Sequence, residues 1–279
     1  MRPSLPLAAL ALLAAAACGD STPNDPVAPS LIINGQPTGG AYGNVGAMLL
    51  DFDFDGKVSG GDQWCTGSLI SPTVFLTAGH CTADIPLYAP GAPVYVSFAP
   101  DLYAKGAKFI KATGYETDPD YGTAPANLQG TGHDLAVVFL PASATKGMTS
   151  LQLPPAGYLD QLQAQGGLSG QLFVNVGYGT SANHSGIPIL GYDGKRNYSQ
   201  SLYMGLNSQW LGLNMNTAAT GLGGDCYGDS GGPKFLDGNT TMIVATVTTG
   251  DYWCRATSWD YRLDTREARS FLGHFVALP

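Results

Sequence analysis

Positive charge is scarce in this chain. Only 13 of its 279 residues are Lys or Arg, against 21 Asp or Glu, for a formal net charge of −8. So few cations argue against a nucleic-acid partner, whose phosphates need clustered Lys and Arg. They argue equally against attraction to an anionic membrane surface. Histidine is scarcer still, with only His80, His133, His184 and His274. No His/Cys set has zinc spacing, so no metal and no cofactor are expected. Helical periodicity is nearly missing until the C-terminus, and no repeat at a solenoid period is visible.

The N-terminal apolar run, "MRPSLPLAALALLAAAAC", is too short for a typical spanning helix. One Arg followed by Leu and Ala reads as a signal peptide over residues 1–17. The run ends at Cys18, and small residues before a cysteine resemble a bacterial lipoprotein cleavage site. Ala15 stands where such sites usually carry Leu. Lipidation of Cys18 is expected, with ordinary secretion as the alternative, so the protein is exported and either lipid-anchored in the cell envelope or secreted. Residues 18–31 are Pro-rich and polar, a tether or propeptide. An exported chain with five cysteines suggests disulfides. With Cys18 set aside, Cys65, Cys81, Cys226 and Cys254 allow three pairings, and the sequence does not choose among them.

The body is rich in Gly and built of short β-type segments. "VGAMLLDF", "GSLISPTVFLTAGH", "PVYVSF", "DLAVVFL", "QLFVNVGYG", "MIVATVTT" and "SWDYRLD" are each bounded by Gly, Pro or Asp. This predicts an antiparallel all-β fold, a barrel or a sandwich. A closing helix is expected over 264–278. Its apolar positions are Ala268, Phe271, Leu272, Phe275 and Val276, with Asp264 as cap and Glu267 reaching back to it. "LPPAGYLDQLQAQGGLSG" and "SANHSGIPILGYDGKRNYSQSLYMG" read as surface excursions.

The densest chemistry lies in "GGDCYGDSGGP", Gly223 to Pro233. Acyl transfer by serine needs a base, a group that orients the base, and donors for an oxyanion. His80 lies in "LTAGHC" at the end of an apolar strand. Asp134 lies at the mouth of the apolar run "DLAVVFL", where a desolvated carboxylate wants a partner. Ser230 sits among glycines that allow close substrate approach, and the N–H groups of Gly228 and Ser230 can share one concavity.

"LTAGHC", "DLAVV" and "GDSGGP", in that order, resemble the trypsin/chymotrypsin-like serine proteases. "IINGQPT", "CTGSLISPTVFLTAGHC" and "VGYGT" extend the resemblance over nearly all of 32–279. It implies two packed six-stranded antiparallel β-barrels, about 32–150 and 151–263, followed by the helix. It implies a serine endopeptidase in which Ser230 attacks, His80 is the base and Asp134 orients that base. Gly228 and Ser230 then supply the oxyanion hole. It pairs Cys65 with Cys81 and Cys226 with Cys254. The partners implied are a peptide or protein substrate and an activating protease, and a monomer is expected.

Asp229 matches the family residue that pairs with a newly cut N-terminal ammonium, here Ile32. The cut would follow Leu31, whereas many animal members are cut after Arg or Lys. In the substrate pocket, Gly224 stands where trypsin-like members carry an acid, and Asp225 is displaced by one. Basic and uncharged P1 residues both remain open, with Thr248, Thr249 and Gly250 forming a wall and Trp259 able to fill the space. His133, His184 and His274 are read as structural or surface residues. "DFDFDGKVSGGD", Asp51 to Asp62, fits the spacing of an EF-hand loop but lacks flanking helices, so a turn on Asp55-Gly56 without specific metal is preferred. The α/β-hydrolase reading of G-x-S-x-G fails for want of βα alternation. The rival from another class is a latent or non-catalytic homologue that acts as a binding protein.

Overall fold

The computed structural model describes residues 32–123, 131–180 and 191–279. The expected signal peptide, Cys18, the tether and His184 lie outside these residues.

The first half forms β1 (Gln36–Pro37), β2 (Val45–Leu50), β3 (Gln63–Ser71), β4 (Val74–Thr77), β5 (Val94–Ser97), β6 (Ile110–Lys111), β7 (Gly114–Thr117) and β8 (Ala136–Phe139). The second forms β9 (Leu172–Gly177), β10 (Asn197–Leu206), β11 (Trp210–Asn214), β12 (Pro233–Leu236), β13 (Ile243–Gly250) and β14 (Thr257–Arg262). Every ladder between these strands is antiparallel.

The second sheet runs β10-β11-β14-β13-β12-β9 and returns to β10, a closed six-stranded barrel with β1 added at one edge. The first sheet runs β6-β5-β2-β3-β4-β8-β7 and is curled rather than closed. Its outermost strands are separated in the chain by Ala112 and Thr113 alone. Ala112 N–H still donates to Val94, and Thr113 N–H already donates to Phe139. One bent stretch of main chain thus joins the two edges. The expected two-barrel architecture holds, with this half-barrel as its first member.

The two sheets share a core. Val45, Leu76, Leu135 and Val137 pack with Val174, Val176, Trp210, Phe235 and Tyr261, and with Ala268, Phe271 and Leu272 of the last helix. Burying each of the larger of these side chains contributes about 1.5–3 kcal/mol. Arg196 adds a polar clamp across the same seam. Its buried guanidinium donates to the carbonyls of Ala41, Val45 and Phe98, which lie in the first half.

Some expectations change. Residues 197–206, read as part of a surface excursion, form the longest strand and are central to the closed barrel. Alternate residues Asn197, Ser199 and Ser201 are buried, so the inward face is polar and hides the strand's alternation. The other excursion contains a short helix, Tyr158–Ala164, anchored by buried Leu159. The closing helix spans Arg266–Leu272, shorter than 264–278, and its cap is Thr265, which accepts from Ala268 N–H at 3.2 Å. Asp264 is instead committed to Arg262 (2.9 Å) and to Leu159 N–H (2.7 Å). Gly273 ends the helix, while Phe275 and Val276 still pack on the core.

Candidate active site

His80 is the second residue of a single helical turn, Gly79–Ala83, that follows β4. Asp134 lies two residues before β8, which pairs with β4. This pairing brings the two side chains together. His80 Nδ1 lies 3.0 Å from Asp134 Oδ2 and 3.2 Å from Oδ1, and His80 N–H donates to Oδ1 at 2.8 Å. Asp134 is 1% exposed. Burial alone would lower the imidazole pKa. The charge and hydrogen bond of Asp134, helped by Asp84, outweigh it and hold His80 above its ordinary value.

Ser230 comes from the second barrel, in the loop before β12. The first sheet grips this loop through Thr66 on β3. Thr66 N–H donates to Ser230 carbonyl at 2.9 Å, and Thr66 Oγ1 donates to Gly228 carbonyl at 2.9 Å. Gln63 Nε2 donates to the same Gly228 carbonyl at 2.8 Å. The approach is close enough to demand Gly231, whose φ is +78°. A Cβ there would sit 2.5 Å from Ala78 N. His80 and Ser230 line one cavity of about 780 Å³. Among the described residues, Ser230 Oγ makes no hydrogen bond.

The amide between Tyr227 and Gly228 is oriented. Its carbonyl accepts from Thr180 N–H at 2.8 Å. Among the described residues, neither Gly228 N–H nor Ser230 N–H donates to any acceptor. Two main-chain donors near the serine are therefore available to a substrate oxygen.

Asp229 is fully buried and receives two main-chain donors, Gly179 N–H at 2.7 Å and Cys226 N–H at 2.9 Å. Its carboxylate occupies the space that a Cβ on Gly177 or Gly179 would need, which explains both glycines in "VGYGT". Burial, reinforced by Asp225, pushes its pKa up to about 7 despite the two hydrogen bonds. Among the described residues it has no ion pair. Ile32 is also buried, and Ile33 carbonyl accepts from Gly224 N–H at 3.0 Å. The segment after Leu31 is thus seated against the same loop.

The pocket departs most from expectation. Asp225 does line the cavity, with Thr248, Thr249 and Gly250. Its charge is already matched, however. Lys234 Nζ lies 2.7 and 3.0 Å from its two oxygens, and Ser258 Oγ lies 2.7 Å from Oδ2. Lys234 is fully buried on β12, bonded also to Asn175 Oδ1 at 2.6 Å and 3.4 Å from Asp260. Asn175 donates to Ser199 and Ser201, which reach the carbonyls of Gly224 and Gly223. Burial lifts the Asp260 pKa to about 8 against the pull of Lys234.

Gly224 does not border the cavity, because Met215 packs directly on it, and a Cβ there would meet the Met215 side chain at 2.3–2.6 Å. Trp259 does not fill the pocket but covers Gly212 on the neighbouring strand. Sequence reading missed Lys234, Met215, Gln63 and the exposed aromatic rim of Tyr227, Tyr252 and Trp253. A lysine inside the apolar run "PKFL" was the one visible signal for Lys234.

Both disulfides are present as the resemblance implied, Cys65–Cys81 and Cys226–Cys254. They flank the site, and each contributes about 2–4 kcal/mol. His133 turns away and lies 3.4 Å from Asp118. His274 follows the closing helix, edge-on to Phe275.

The family model described as Trypsin matches residues 43–263. The chain belongs to the trypsin family. Among solved structures, it is similar to HL collagenase, with a TM-score of 0.62 and 18% identity over 88% of this chain and 100% of that one. It is also similar to a mutant of human heparin binding protein, with a TM-score of 0.61 and 16% identity over 89% of this chain and 99% of the other. At such identities these two neighbours speak for the fold alone.

Proposed function

We propose that this trypsin-family chain is an active serine endopeptidase that prefers an uncharged P1 residue. The observation that carries catalysis is the doubly bonded His80–Asp134 pair facing the same cavity as Ser230. In this reading Asp134 fixes the tautomer with Nδ1–H toward the carboxylate, leaving Nε2 to take the Ser230 proton. Ser230 Oγ attacks the scissile carbonyl. Its oxyanion is received by Gly228 N–H and Ser230 N–H, the two donors without acceptors among the described residues. His80 then returns the proton to the leaving amine, and water resolves the acyl-enzyme by the same route.

The P1 preference rests on charge accounting. A Lys or Arg substrate side chain needs an unpaired carboxylate at the pocket base. Asp225 is neutralised by Lys234, and Asp260, with its pKa lifted to about 8, keeps its proton at neutral pH. The wall offers Met215, Val247 and the buried hydroxyl of Thr248, which has no protein partner among the described residues. Such a lining suits a medium-sized uncharged side chain.

The rival reading is a binding protein; one similar structure is named for binding heparin, but at 16% identity it shows the fold alone. A net charge of −8 opposes a polyanionic ligand here. The two disulfides support export, and Cys18 is the proposed lipid attachment point.

A panel of peptide substrates differing only at P1 tests the proposal. Hydrolysis should favour Leu, Met or Phe over Arg and Lys by at least about tenfold at pH 7, and it should vanish in Ser230→Ala. Preference for Arg would overturn the pocket assignment. Unchanged rates in Ser230→Ala would overturn the catalytic one.

A further inference from the structure

We infer that the connection Asp51–Asp62, between β2 and β3, is a calcium site. One carboxylate oxygen from each of Asp51, Asp53 and Asp55 falls within 4.8 Å of the others. Clustered acids alone would mean little on a surface. Asp51 is different, because it is only 4% exposed and its Oδ1 is buried with no hydrogen-bond donor among the described residues. A buried carboxylate oxygen without a donor is costly, and a hard cation would supply the missing partner. Its other oxygen is pinned by Gly56 N–H at 3.1 Å, which fixes the carboxylate in the loop.

The nearby cation is no substitute. Lys57 has an 85% exposed side chain and stands 3.8 Å from Asp55, leaving Asp51 and Asp53 without an ion pair among the described residues. The spacing also fits, with Asp at the first, third and fifth positions, Gly at the sixth with φ +75°, and Asp62 at the twelfth. Gly56 is needed there because a left-handed backbone turns the loop back on itself.

Strands and a short 3-10 turn replace the flanking helices. Asp62 is held by Ser59 N–H at 2.8 Å in a capping box, so it does not offer the long bidentate reach of a Glu. Three aspartates completed by main-chain and water oxygens suit calcium, which accepts irregular oxygen shells, better than magnesium, which demands octahedral geometry and sheds water reluctantly. The affinity should lie in the extracellular range, about 10⁻⁴–10⁻³ M. The loop runs straight into Gln63, which clamps the Gly228 carbonyl, and Phe52 packs edge-on against Trp64 at 5.2 Å. Cation binding would therefore stiffen the first-sheet support of the Ser230 loop.

The test uses the full chain as Ser230→Ala, so that self-digestion cannot imitate stabilisation. After chelation, calcium chloride or magnesium chloride is added during calorimetric titration and thermal melts. Calcium should bind one site and raise Tm by about 3–8 °C at roughly 10 mM, with a smaller rise for magnesium. Asp53→Ala, an exposed change that leaves the cation-free Tm within about 2 °C, should abolish both effects, and Asp51→Asn should do the same. Absence of heat and of any Tm change would overturn the assignment. So would a calcium response that survives undiminished in both variants.

Discussion

Asp134 and Asp229 are each about 1% exposed, one behind His80 in the first half and the other beside Ser230 in the second. Asp134 has an imidazole beside it. Among the described residues Asp229 has only the N–H groups of Gly179 and Cys226, and burial drives its pKa up to about 7. The first sheet therefore presents a finished hydrogen-bonded pair, whereas the second barrel holds a carboxyl group without a cation among the described residues. Asp225, four residues away, shows the third possibility, a carboxylate saturated from within by Lys234. Three buried aspartates thus hold an imidazole, accept main-chain N–H groups alone among the described residues, or are matched by an internal lysine.

The largest loss is expected at Asp134, where the pair is already complete. Asp134→Asn should lower kcat by about 10⁴ while leaving the fold intact, because the amide favours the wrong imidazole tautomer. The acid limb of the pH–rate profile should also move down. In the native protein His80 sits above its ordinary pKa, so activity is lost as pH falls through that raised value. Steady-state kinetics across pH 5–9 check both statements.

Removing the internal cation comes next. Lys234→Met strands Asp225 and Asp260 in the second barrel and should cost about 3–5 kcal/mol of stability, read as a lower urea midpoint. A loss under about 1 kcal/mol would mean that the cluster is less buried or less paired than described.

The unpaired state of Asp229 shows through pH. Its folded pKa lies above that of an unfolded aspartate, so the folded state holds the proton more tightly. In the uncut chain, the contribution of Asp229 to stability should be fullest below about pH 4, fall as pH rises toward about 7, and level off beyond. An ammonium freed by cleavage after Leu31 should remove that fall. In uncut Asp229→Asn the same slope should shrink. Denaturant midpoints against pH, before and after the cut, decide the matter.

The smallest effect belongs to Gln63. Losing one donor to the Gly228 carbonyl by Gln63→Ala should lower kcat about three- to tenfold, with little change in KM.

What the sequence made legible follows the range of the forces involved. His80, Asp134 and the Ser230 loop lie in short local motifs at strand ends, so spacing and order sufficed. The strands rich in Val, Leu and Phe were legible for the same reason. Residues 197–206 were not, because their inward positions are Asn197, Ser199 and Ser201. Asn175 on the neighbouring strand bonds both serines, so that face is held by polar rather than apolar contact. Asp225 was assigned to substrate because Lys234, nine residues on, meets it only after β12 and the loop fold together. Thr265 displaced Asp264 as helix cap because Arg262, two residues earlier on β14, claims that carboxylate.

Activation of Ser230 by His80 and Asp134 is the step on which the proposed function stands. Treating the folded protein, uncut and cut after Leu31, with a fluorophosphonate probe and recording intact mass measures it without any choice of substrate. A single adduct should form on the native chain, disappear in Ser230→Ala and form far more slowly in Asp134→Asn. A folded protein that takes up no probe in either form would contradict the proposed catalysis.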